Sequence, residues 1–147
     1  MRRVLASLIV VAGLALVVTP TGSAAGGAAT VKTRHGKLGT FLVGTNGRTL
    51  YLFEKDKTKK STCSGDCATA WPPLLTTGKP KAAGKAKASL LGTTKRADGK
   101  TQVTYKGHPV YYFVQDKKAG DTKGQGVDGF GAEWYVMSPS GKKIDND

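Results

Sequence analysis

The sequence contains the same six-residue pattern, Tyr-x-Phe-x-x-Asp, at two places that lie 60 residues apart. The recurring positions are Tyr51, Phe53 and Asp56 in the first copy and Tyr111, Phe113 and Asp116 in the second. A polar loop and then a tryptophan follow each copy, Trp71 in the first and Trp134 in the second. A duplicated chain buries the apolar face of each half against the other half. The repeat therefore predicts two pseudo-symmetric halves packed as one domain and related by an approximate twofold rotation.

The N-terminal residues 1–25 have the organisation of an export signal. Two arginines precede an apolar run from Val4 to Val18, and small residues follow it up to Ala25. A run of about 15 apolar residues is short for a bilayer span, which takes about 20. These features are typical of a signal peptide cleaved near Ala25, with an uncleaved anchor as the alternative. No cysteine stands directly after the run, so we expect no lipobox. We also expect no transmembrane segment after cleavage and a secreted or envelope-associated protein.

Removal of residues 1–25 leaves 122 residues, with 21 lysines and arginines against 10 acidic residues and a net charge of +11. A chain of this length suits a single domain with a modest core. Most of the positive charge is lysine, which attracts anions diffusely, whereas arginine favours bidentate recognition of phosphate. The expected partner is therefore an anionic cell-wall polymer or another exported protein, and no specific nucleic acid. The simpler alternative is a solvated basic surface that keeps the protein soluble.

Cys63 and Cys67 are the two cysteines of the chain, and an exported protein matures where disulfides persist. We expect them to be joined. The loop that such a bond closes is short, so the chain-entropy model gives it only about 2 kcal/mol of stabilisation. Metal binding by the pair is the alternative, although the sequence offers no second ligand pair, and His35 and His108 are isolated.

Beyond the signal, the chain divides into a lead-in, a first repeat, a linker and a second repeat. Their predicted bounds are 26–36, 37–77, 78–88 and 89–147. The lead-in is small and polar with no apolar period, so we expect it to be flexible. The linker carries four lysines and little that could pack, which predicts an exposed connection between the halves.

The strand signals predict an all-β fold of mainly antiparallel hairpins and a meander, arranged as a small sandwich or barrel. In repeat 1, Asn46-Gly47 separates two β-rich runs, a hairpin signal because both residues tolerate positive φ. The second of these runs, 48–54, is apolar on both alternating faces, so we expect it to be covered on both sides. Repeat 2 has a three-stranded meander, a long polar loop at 115–131 and a last strand. Each repeat holds a Leu-Gly-Thr segment, and the second one predicts an extra strand in the meander.

The repeated residues are interpreted as structural. The motif aromatics and the two tryptophans are predicted to fill the core. Each motif aspartate is predicted to accept hydrogen bonds from backbone N–H groups of the loop that follows it. Catalysis would need a nucleophile or a polarising partner beside these residues, and the sequence has no Gly-x-Ser-x-Gly, His-Glu-x-x-His or phosphate-binding glycine loop. We therefore predict no catalytic residue and favour a non-enzymatic protein.

Taken together, these motifs resemble a known bacterial family. The repeated Tyr-x-Phe-x-x-Asp, the Cys-x-x-x-Cys followed by Ala-Trp-Pro-Pro, and the glycine-rich run ending in Trp-Tyr-Val are similar to the predicted secreted lipoproteins with a Tyr-x-(Phe/Trp/Tyr)-x-x-Asp motif. The likeness covers residues 38–139. It implies export and a repeat architecture but no particular activity, because the role of the family is recorded as unknown. This chain departs from the lipoprotein members in lacking a lipobox cysteine, which favours a soluble or wall-associated form.

The sequence leaves two functions open. The first is a non-enzymatic envelope or extracellular protein that binds an anionic polymer or another exported protein through aromatic and basic surface groups. The alternative is a redox- or metal-linked accessory protein of the envelope. In that case Cys63 and Cys67 cycle between dithiol and disulfide, or His108 and Met137 help to hold copper or haem. No cofactor is expected under the first hypothesis, and the ligand and oligomeric state stay open under both.

Overall fold

The computed structural model describes residues 27–145, so the predicted signal peptide and its cleavage near Ala25 lie outside the described residues. Within that part of the chain, nine short strands make up almost all of the regular structure. They are β1 Thr30–Gly36, β2 Gly39–Val43, β3 Tyr51–Phe53, β4 Lys81–Ala82, β5 Leu91–Lys95, β6 Thr101–Tyr105, β7 His108–Pro109, β8 Val127–Gly129 and β9 Ala132–Val136. An α-helix, α1 Asp66–Ala70, and a 3-10 turn, Ala88–Leu90, complete the elements.

The strands form three small sheets, which confirms the predicted all-β class. The strand orders are β2-β1-β4, β3-β9-β8 and β5-β6-β7. Pairing is antiparallel throughout these sheets except between β1 and β4, which are parallel. Across residues 27–145 the strands stay in separate ladders, so of the two predicted arrangements, a small sandwich or a barrel, the closed barrel is not formed.

The flexible lead-in predicted at 26–36 is wrong from Thr30 onward, because these residues form β1, the longest strand. β1 pairs with β2 along five positions, from Lys32 opposite Val43 to Gly36 opposite Gly39. Val31 is its fully buried apolar anchor, and the residues after it are largely exposed. A strand held by its backbone ladder needs few apolar side chains, so the apolar pattern did not reveal it.

The presence of β1 also shows that the prediction of an extra strand in repeat 2 is wrong. β1 and β2 form the same antiparallel hairpin in repeat 1 that β5 and β6 form in repeat 2. The prediction matched the two Leu-Gly-Thr segments with each other, but the first leads into β2 and the second begins β5. Each repeat therefore contributes one equivalent hairpin, and the strands of repeat 2 are not in excess.

The hairpin predicted around Asn46-Gly47 is present at its turn but not along its length. Val43 forms an isolated antiparallel bridge with Thr49, on either side of that turn. Beyond the bridge the two strands part, since β2 pairs with β1 and β3 pairs with β9. The prediction is thus right for the turn and wrong for the extent of the pairing.

A ring of three backbone hydrogen bonds holds the point where these strands part. Leu50 N–H donates to Leu42 O at 3.0 Å, and Leu42 N–H donates to Met137 O at 2.9 Å. Met137 N–H closes the ring on Leu50 O at 3.3 Å. Leu42 and Leu50 belong to repeat 1, whereas Met137 comes three residues after the tryptophan of repeat 2.

Repeat 2 contains a second ring of the same form. Val110 N–H donates to Val103 O at 3.1 Å, Val103 N–H to Leu74 O at 2.9 Å, and Leu74 N–H to Val110 O at 3.0 Å. Leu74 comes three residues after Trp71, in repeat 1. The two repeats therefore exchange their tryptophan segments, and each ring is completed by the other half of the chain.

The predicted linker, 78–88, is more structured than expected. Its residues Lys81–Ala82 form β4 on the outer edge of β1. Lys81 N–H donates to Ala29 O, and Ala83 N–H donates to Val31 O, both at 2.9 Å. The long loop predicted at 115–131 likewise contains β8, which pairs with β9. Backbone pairing, which leaves little trace in side-chain composition, holds both segments.

β3 divides the core into two clusters, as its two apolar faces predict. Tyr51 and Phe53 lie in an aromatic cluster, and Leu50 and Leu52 lie in a mainly aliphatic one. All four side chains are buried. The strand is therefore covered on both faces.

Four aromatic rings stack through the aromatic cluster in the order Phe53, Trp134, Trp71, Phe113. The centroids of neighbouring rings are 4.0 Å apart at each step, and the two indole planes differ by 2°. Each tryptophan thus stacks on the phenylalanine of the other repeat. The stack joins the two halves through ring contacts as the backbone rings join them through hydrogen bonds.

Replacing Trp71 or Trp134 with alanine is expected to lower the free energy of unfolding by about 3–5 kcal/mol, because a large buried ring is lost and a cavity remains. The two losses should be similar, since the indoles have matched neighbours. Urea unfolding measures both. Phe130→Ala is the control: this ring is 46% exposed, so its loss should change stability by less than about 0.5 kcal/mol. A large loss for one tryptophan alone would contradict the matched core.

Candidate functional site

The motif tyrosines meet at the pseudo-twofold axis. Tyr51 N–H donates to Tyr111 O at 2.8 Å, and Tyr111 N–H donates to Tyr51 O at 3.0 Å. Each ring also stands edge-on to a tryptophan, Tyr51 to Trp71 and Tyr111 to Trp134, with centroids 5.3 and 5.1 Å apart. The two motif copies therefore have matched surroundings, as a twofold relation between the repeats requires.

The tyrosine hydroxyl groups reach across this axis to the motif aspartates. Tyr51 Oη donates to Asp116 Oδ2, and Tyr111 Oη donates to Asp56 Oδ2, both at 2.5 Å. Both carboxylates are buried. Each aspartate is thus bonded to the tyrosine of the other repeat.

The second oxygen of each carboxylate organises the loop that follows it. Asp56 Oδ1 accepts from Thr62 N–H at 2.7 Å, and Asp116 Oδ1 accepts from Lys123 N–H at 2.9 Å. A buried carboxylate with several donors is well satisfied, so these two contacts fix the loops against the core. The sequence predicts these backbone N–H donors from the following loops, but not the hydroxyl donor from the tyrosine of the other repeat.

Burial sets the acid–base properties of this cluster. Burial, together with hydrogen bonds to the carboxylates, raises the pKa of the Tyr51 and Tyr111 hydroxyl groups far above the ordinary value. Burial also raises the pKa of Asp116, partly offset by the hydrogen bonds from Tyr51 and Lys123 N–H. At neutral pH the tyrosines are protonated donors, and both rings are sealed from solvent. The cluster can position two loops, but it presents no group to a substrate.

The match between the repeats fails at the residue after the motif tyrosine. In repeat 2 this residue is Tyr112, whose hydroxyl end lies so close to Gly44 that no side chain would fit there. In repeat 1 the same position holds Leu52, which is shorter and has no hydroxyl. A groove lined by Leu52, Lys106 and His108 occupies the corresponding place. The groove therefore lies on one side of the axis only.

This open groove, called the basic groove below, has a volume of about 560 Å³. It is formed by the end of β3, the turn between β6 and β7, and the C-terminal segment 141–145. Its basic side chains are Lys57, Lys106, His108, Lys142 and Lys143. Three carboxylates, those of Glu54, Asp56 and Asp145, also line it.

Among the lysines of the basic groove, only Lys143 forms ion pairs within the described residues. Lys143 Nζ lies 3.3 Å from a Glu54 oxygen and 3.3 Å from an Asp145 oxygen. Among residues 27–145, no carboxylate lies within 4.0 Å of the ammonium groups of Lys57, Lys106 and Lys142. All three are exposed. Within the part of the chain that the structure describes, these are the lysines of the basic groove without a carboxylate partner.

Lys106 has an unusual backbone. Its φ is 48°, in the left-handed region, whereas Asn46, which occupies the same position in the turn of repeat 1, does not have a positive φ. A lysine rarely adopts this conformation, and strained residues of this kind cluster at functional positions. Its side chain runs along Gly141, and a Cβ at Gly141 would collide with it. The turn thus holds Lys106 against the C-terminal wall of the basic groove.

The predicted disulfide between Cys63 and Cys67 is present. Both cysteines are buried in the aromatic cluster. Arg96 of repeat 2 donates to Cys63 O at 2.6 Å and to Ser61 Oγ at 3.0 Å. The disulfide therefore lies in a loop that is already fastened to both repeats.

The suggested metal ligands His108 and Met137 lie in different surroundings. His108 lines the basic groove and is partly exposed, whereas Met137 is fully buried in the aliphatic cluster. Within the described part of the chain, no group of three or more His, Cys, Asp or Glu side chains is placed to hold a metal ion.

The sequence did not single out Lys57, Lys106 and Lys142 as a group. One signal was available, because aligning the two motif copies sets Leu52 against Tyr112 and shows where a large side chain is missing. The proximity of Lys142 depends on the path of the C-terminal segment, for which the sequence holds no comparable signal.

The family model of a secreted repeat of unknown function matches the chain twice, at residues 32–75 and 92–138. These matches cover 91 of the 147 residues and begin 60 residues apart, the offset of the motif. They also agree with the equivalence of β1 and β5. No curated protein and no solved structure matches the chain. Among the described residues, no helix has the length and apolar character needed to span a membrane.

Alkaline titration is expected to show that Tyr51 and Tyr111 ionise only as the protein unfolds. The ordinary pKa of a tyrosine hydroxyl is 10.0, and burial raises it for both residues in the folded protein. Folding stability from these groups is therefore fully present below about pH 10 and falls as the pH rises further. Tyrosinate absorbance and circular dichroism, followed together, test this. Ionisation of all five tyrosines with an unchanged dichroism spectrum would contradict it.

Thiol labelling of the native exported protein is expected to find no free cysteine, since both are in the disulfide. Reduction should lower the free energy of unfolding by only about 2 kcal/mol, because the closed loop is short. Hydrogen exchange should increase at 61–73 and stay unchanged at β6. The double variant Cys63→Ser, Cys67→Ser is the control for effects of the reductant. Global unfolding on reduction would show that the bond holds more than its own loop.

Proposed function

We propose that the chain, which belongs to the family of secreted repeats of unknown function, is an exported non-enzymatic protein that binds an anionic polymer of the cell envelope. Membership of that family indicates export. Polymer binding is our inference, and one observation carries it. Lys57, Lys106 and Lys142 surround the basic groove, and within residues 27–145 none of them has a carboxylate partner.

The chemistry of these cations suits a polymer with repeated negative charges. Lysine is a compact charge on a flexible stem, so it can follow anions whose spacing is irregular. The attraction acts over a Debye length of about 8 Å at physiological salt and weakens as salt rises. Lys143, neutralised by Glu54 and Asp145, supports the wall of the basic groove and adds little to this attraction.

The backbone beneath the basic groove is held on several sides, which supports binding. β3 is held by β9 on one edge and by the Tyr51–Tyr111 bridge on the other. Lys106 is fixed by its turn and by Gly141. Binding therefore has to order only lysine side chains, which costs about 0.5–1.5 kcal/mol for each one immobilised.

Export without a lipid anchor completes the proposal. Cleavage near Ala25, with no lipobox cysteine, would release a soluble protein. Its net charge of +11 after cleavage, 21 basic against 10 acidic residues, would then retain it at an anionic wall. Wall association would need no covalent link.

The redox alternative has less support. Cycling between dithiol and disulfide requires Cys63 or Cys67 to meet the thiol of another molecule, and these residues are 1% and 6% exposed. For copper or haem, Met137 would have to leave a fully buried position to act with His108. Redox cycling and metal binding would each require the core to open locally, whereas polymer binding at the basic groove would not.

The triple variant Lys57→Glu, Lys106→Glu, Lys142→Glu is expected to bind polyphosphate, used as the polyanion probe, about tenfold or more weakly, a change of about 1.4 kcal/mol. The variant reverses the charges that face the basic groove. Isothermal titration calorimetry at two salt concentrations measures the affinity and its salt dependence. The wild-type affinity should fall steeply with salt, and that of the variant should fall less.

The matched control is Lys37→Glu, Lys85→Glu, Lys118→Glu, which makes the same change in net charge at three exposed lysines outside the basic groove. It should keep most of the wild-type affinity. Equal losses of affinity in the two triple variants would show that diffuse attraction, and not the basic groove, binds the polyanion. Thermal melts of both variants establish that a loss of binding is not a loss of fold.

A further inference from the structure

β5 is an edge strand whose outer hydrogen-bonding groups face away from its sheet. Leu90 O accepts from Lys106 N–H at 2.8 Å, and Arg96 N–H donates to Lys100 O at 2.9 Å. Hydrogen-bonded positions alternate along an antiparallel strand. Gly92 and the other even-numbered residues between these two bonds therefore face β6, and the odd-numbered residues face outward.

The outward groups of β5 are free within the described part of the chain. Leu91 N–H donates to Ala88 O in the preceding turn, but no partner is found for Leu91 O or for the backbone of Thr93. The N–H of Lys95 is likewise without a partner among residues 27–145. Thr93 and Lys95 are exposed. An open row of this kind is a template for another strand.

The equivalent strand of repeat 1 shows what covers such an edge. β4 lies parallel to β1, with Thr30 opposite Lys81 and Val31 opposite Ala82. Val31 O, which accepts from Ala83 N–H at 2.9 Å, is the counterpart of Leu91 O. β4 thus covers the edge of β1 only as far as Val31, and the corresponding stretch of repeat 2 is the 3-10 turn that ends at Leu90. Leu91 O is the point that the two edges have in common, and it has no covering strand within the described residues.

The side chains near β5 indicate which charge a strand added to this edge would carry. Two adjoining grooves, of about 600 and 410 Å³, run over the β5–β6 hairpin under the 75–80 loop. Lys79, Lys95 and Lys100 line them, and their lining contains no aspartate or glutamate. Threonines supply the remaining polar surface. A segment that pairs with β5 would thus meet lysines on its flank.

We propose that β5 binds an extended acidic segment of a partner protein, added as a parallel strand that starts at Leu91 O, the counterpart of the Val31 O to which β4 bonds, and continues along Thr93 and Lys95. Main-chain hydrogen bonds to Leu91 O, Thr93 and Lys95 would supply affinity. Contacts of the partner's carboxylates with the lysines would supply specificity. This surface is separate from the basic groove, and the proposal does not depend on polymer binding.

The test uses a peptide with the sequence of residues 78–84 carrying Lys79→Glu and Lys81→Glu, titrated into the full exported chain labelled with nitrogen-15. This probe keeps the backbone of the β4 segment and makes it acidic. Amide shifts should concentrate at Thr93 and Lys95. The unaltered lysine peptide is the matched control and should bind about tenfold or more weakly, because its charges repel those beside β5.

Thr93→Pro removes an outward N–H, a change that edge strands tolerate, and should abolish the shifts. Thr93→Ala keeps that N–H and should bind as the wild type does. If Thr93→Pro does not fold, the double variant Lys95→Glu, Lys100→Glu is the test. It should bind the lysine peptide more tightly than the acidic one. Shifts that persist in Thr93→Pro, or equal binding of both peptides, would overturn the proposal. So would self-association that Thr93→Pro removes, because the occupant would then be a second copy of this chain.

Discussion

Neither repeat can satisfy its own backbone. Leu42 and Leu50 of the first repeat need the backbone of Met137, and Val103 and Val110 of the second need that of Leu74. A buried N–H or C=O without a partner costs free energy comparable to a lost hydrogen bond, so neither ring can open cheaply. Because Met137 and Leu74 follow the tryptophans, closing the rings also brings the two indoles into contact. The exchange of tryptophan segments thus fixes the backbone and the aromatic core together.

The motif residues extend this dependence outward to the loops. Asp56 and Asp116 each hold their own loop and the tyrosine of the other repeat. The loop after Asp56 carries the disulfide, and Lys57 at its start reaches the basic groove. A change at the axis would therefore be felt at the surface, through a short chain of hydrogen bonds. Scaffold and candidate site are continuous in this protein, although the buried tyrosines themselves meet no ligand.

The repeat could be predicted from the sequence because its residues are large, aromatic and regularly spaced. β1 could not, since Val31 is its single buried side chain of note and the ladder with β2 leaves no mark on composition. Spacing also does not say which repeat supplies a partner, so Asn46-Gly47 suggested a self-contained hairpin where Met137 intervenes. The basic groove could be predicted only in part. Its position was visible in the difference between Leu52 and Tyr112, but its third wall depends on the path of the C-terminal segment.

The crossed arrangement also bears on how assembly depends on concentration. A single repeat alone would keep one open ring and half of an aromatic stack, so the smallest closed unit is a pair. Linking the two halves in one chain turns their association into an intramolecular step at a fixed effective concentration. Stability then does not vary with dilution, as it does for an obligate dimer. For an exported protein, whose concentration outside the cell is not set by its synthesis alone, the short connection at 78–88 is what makes the pairing of the two halves independent of concentration.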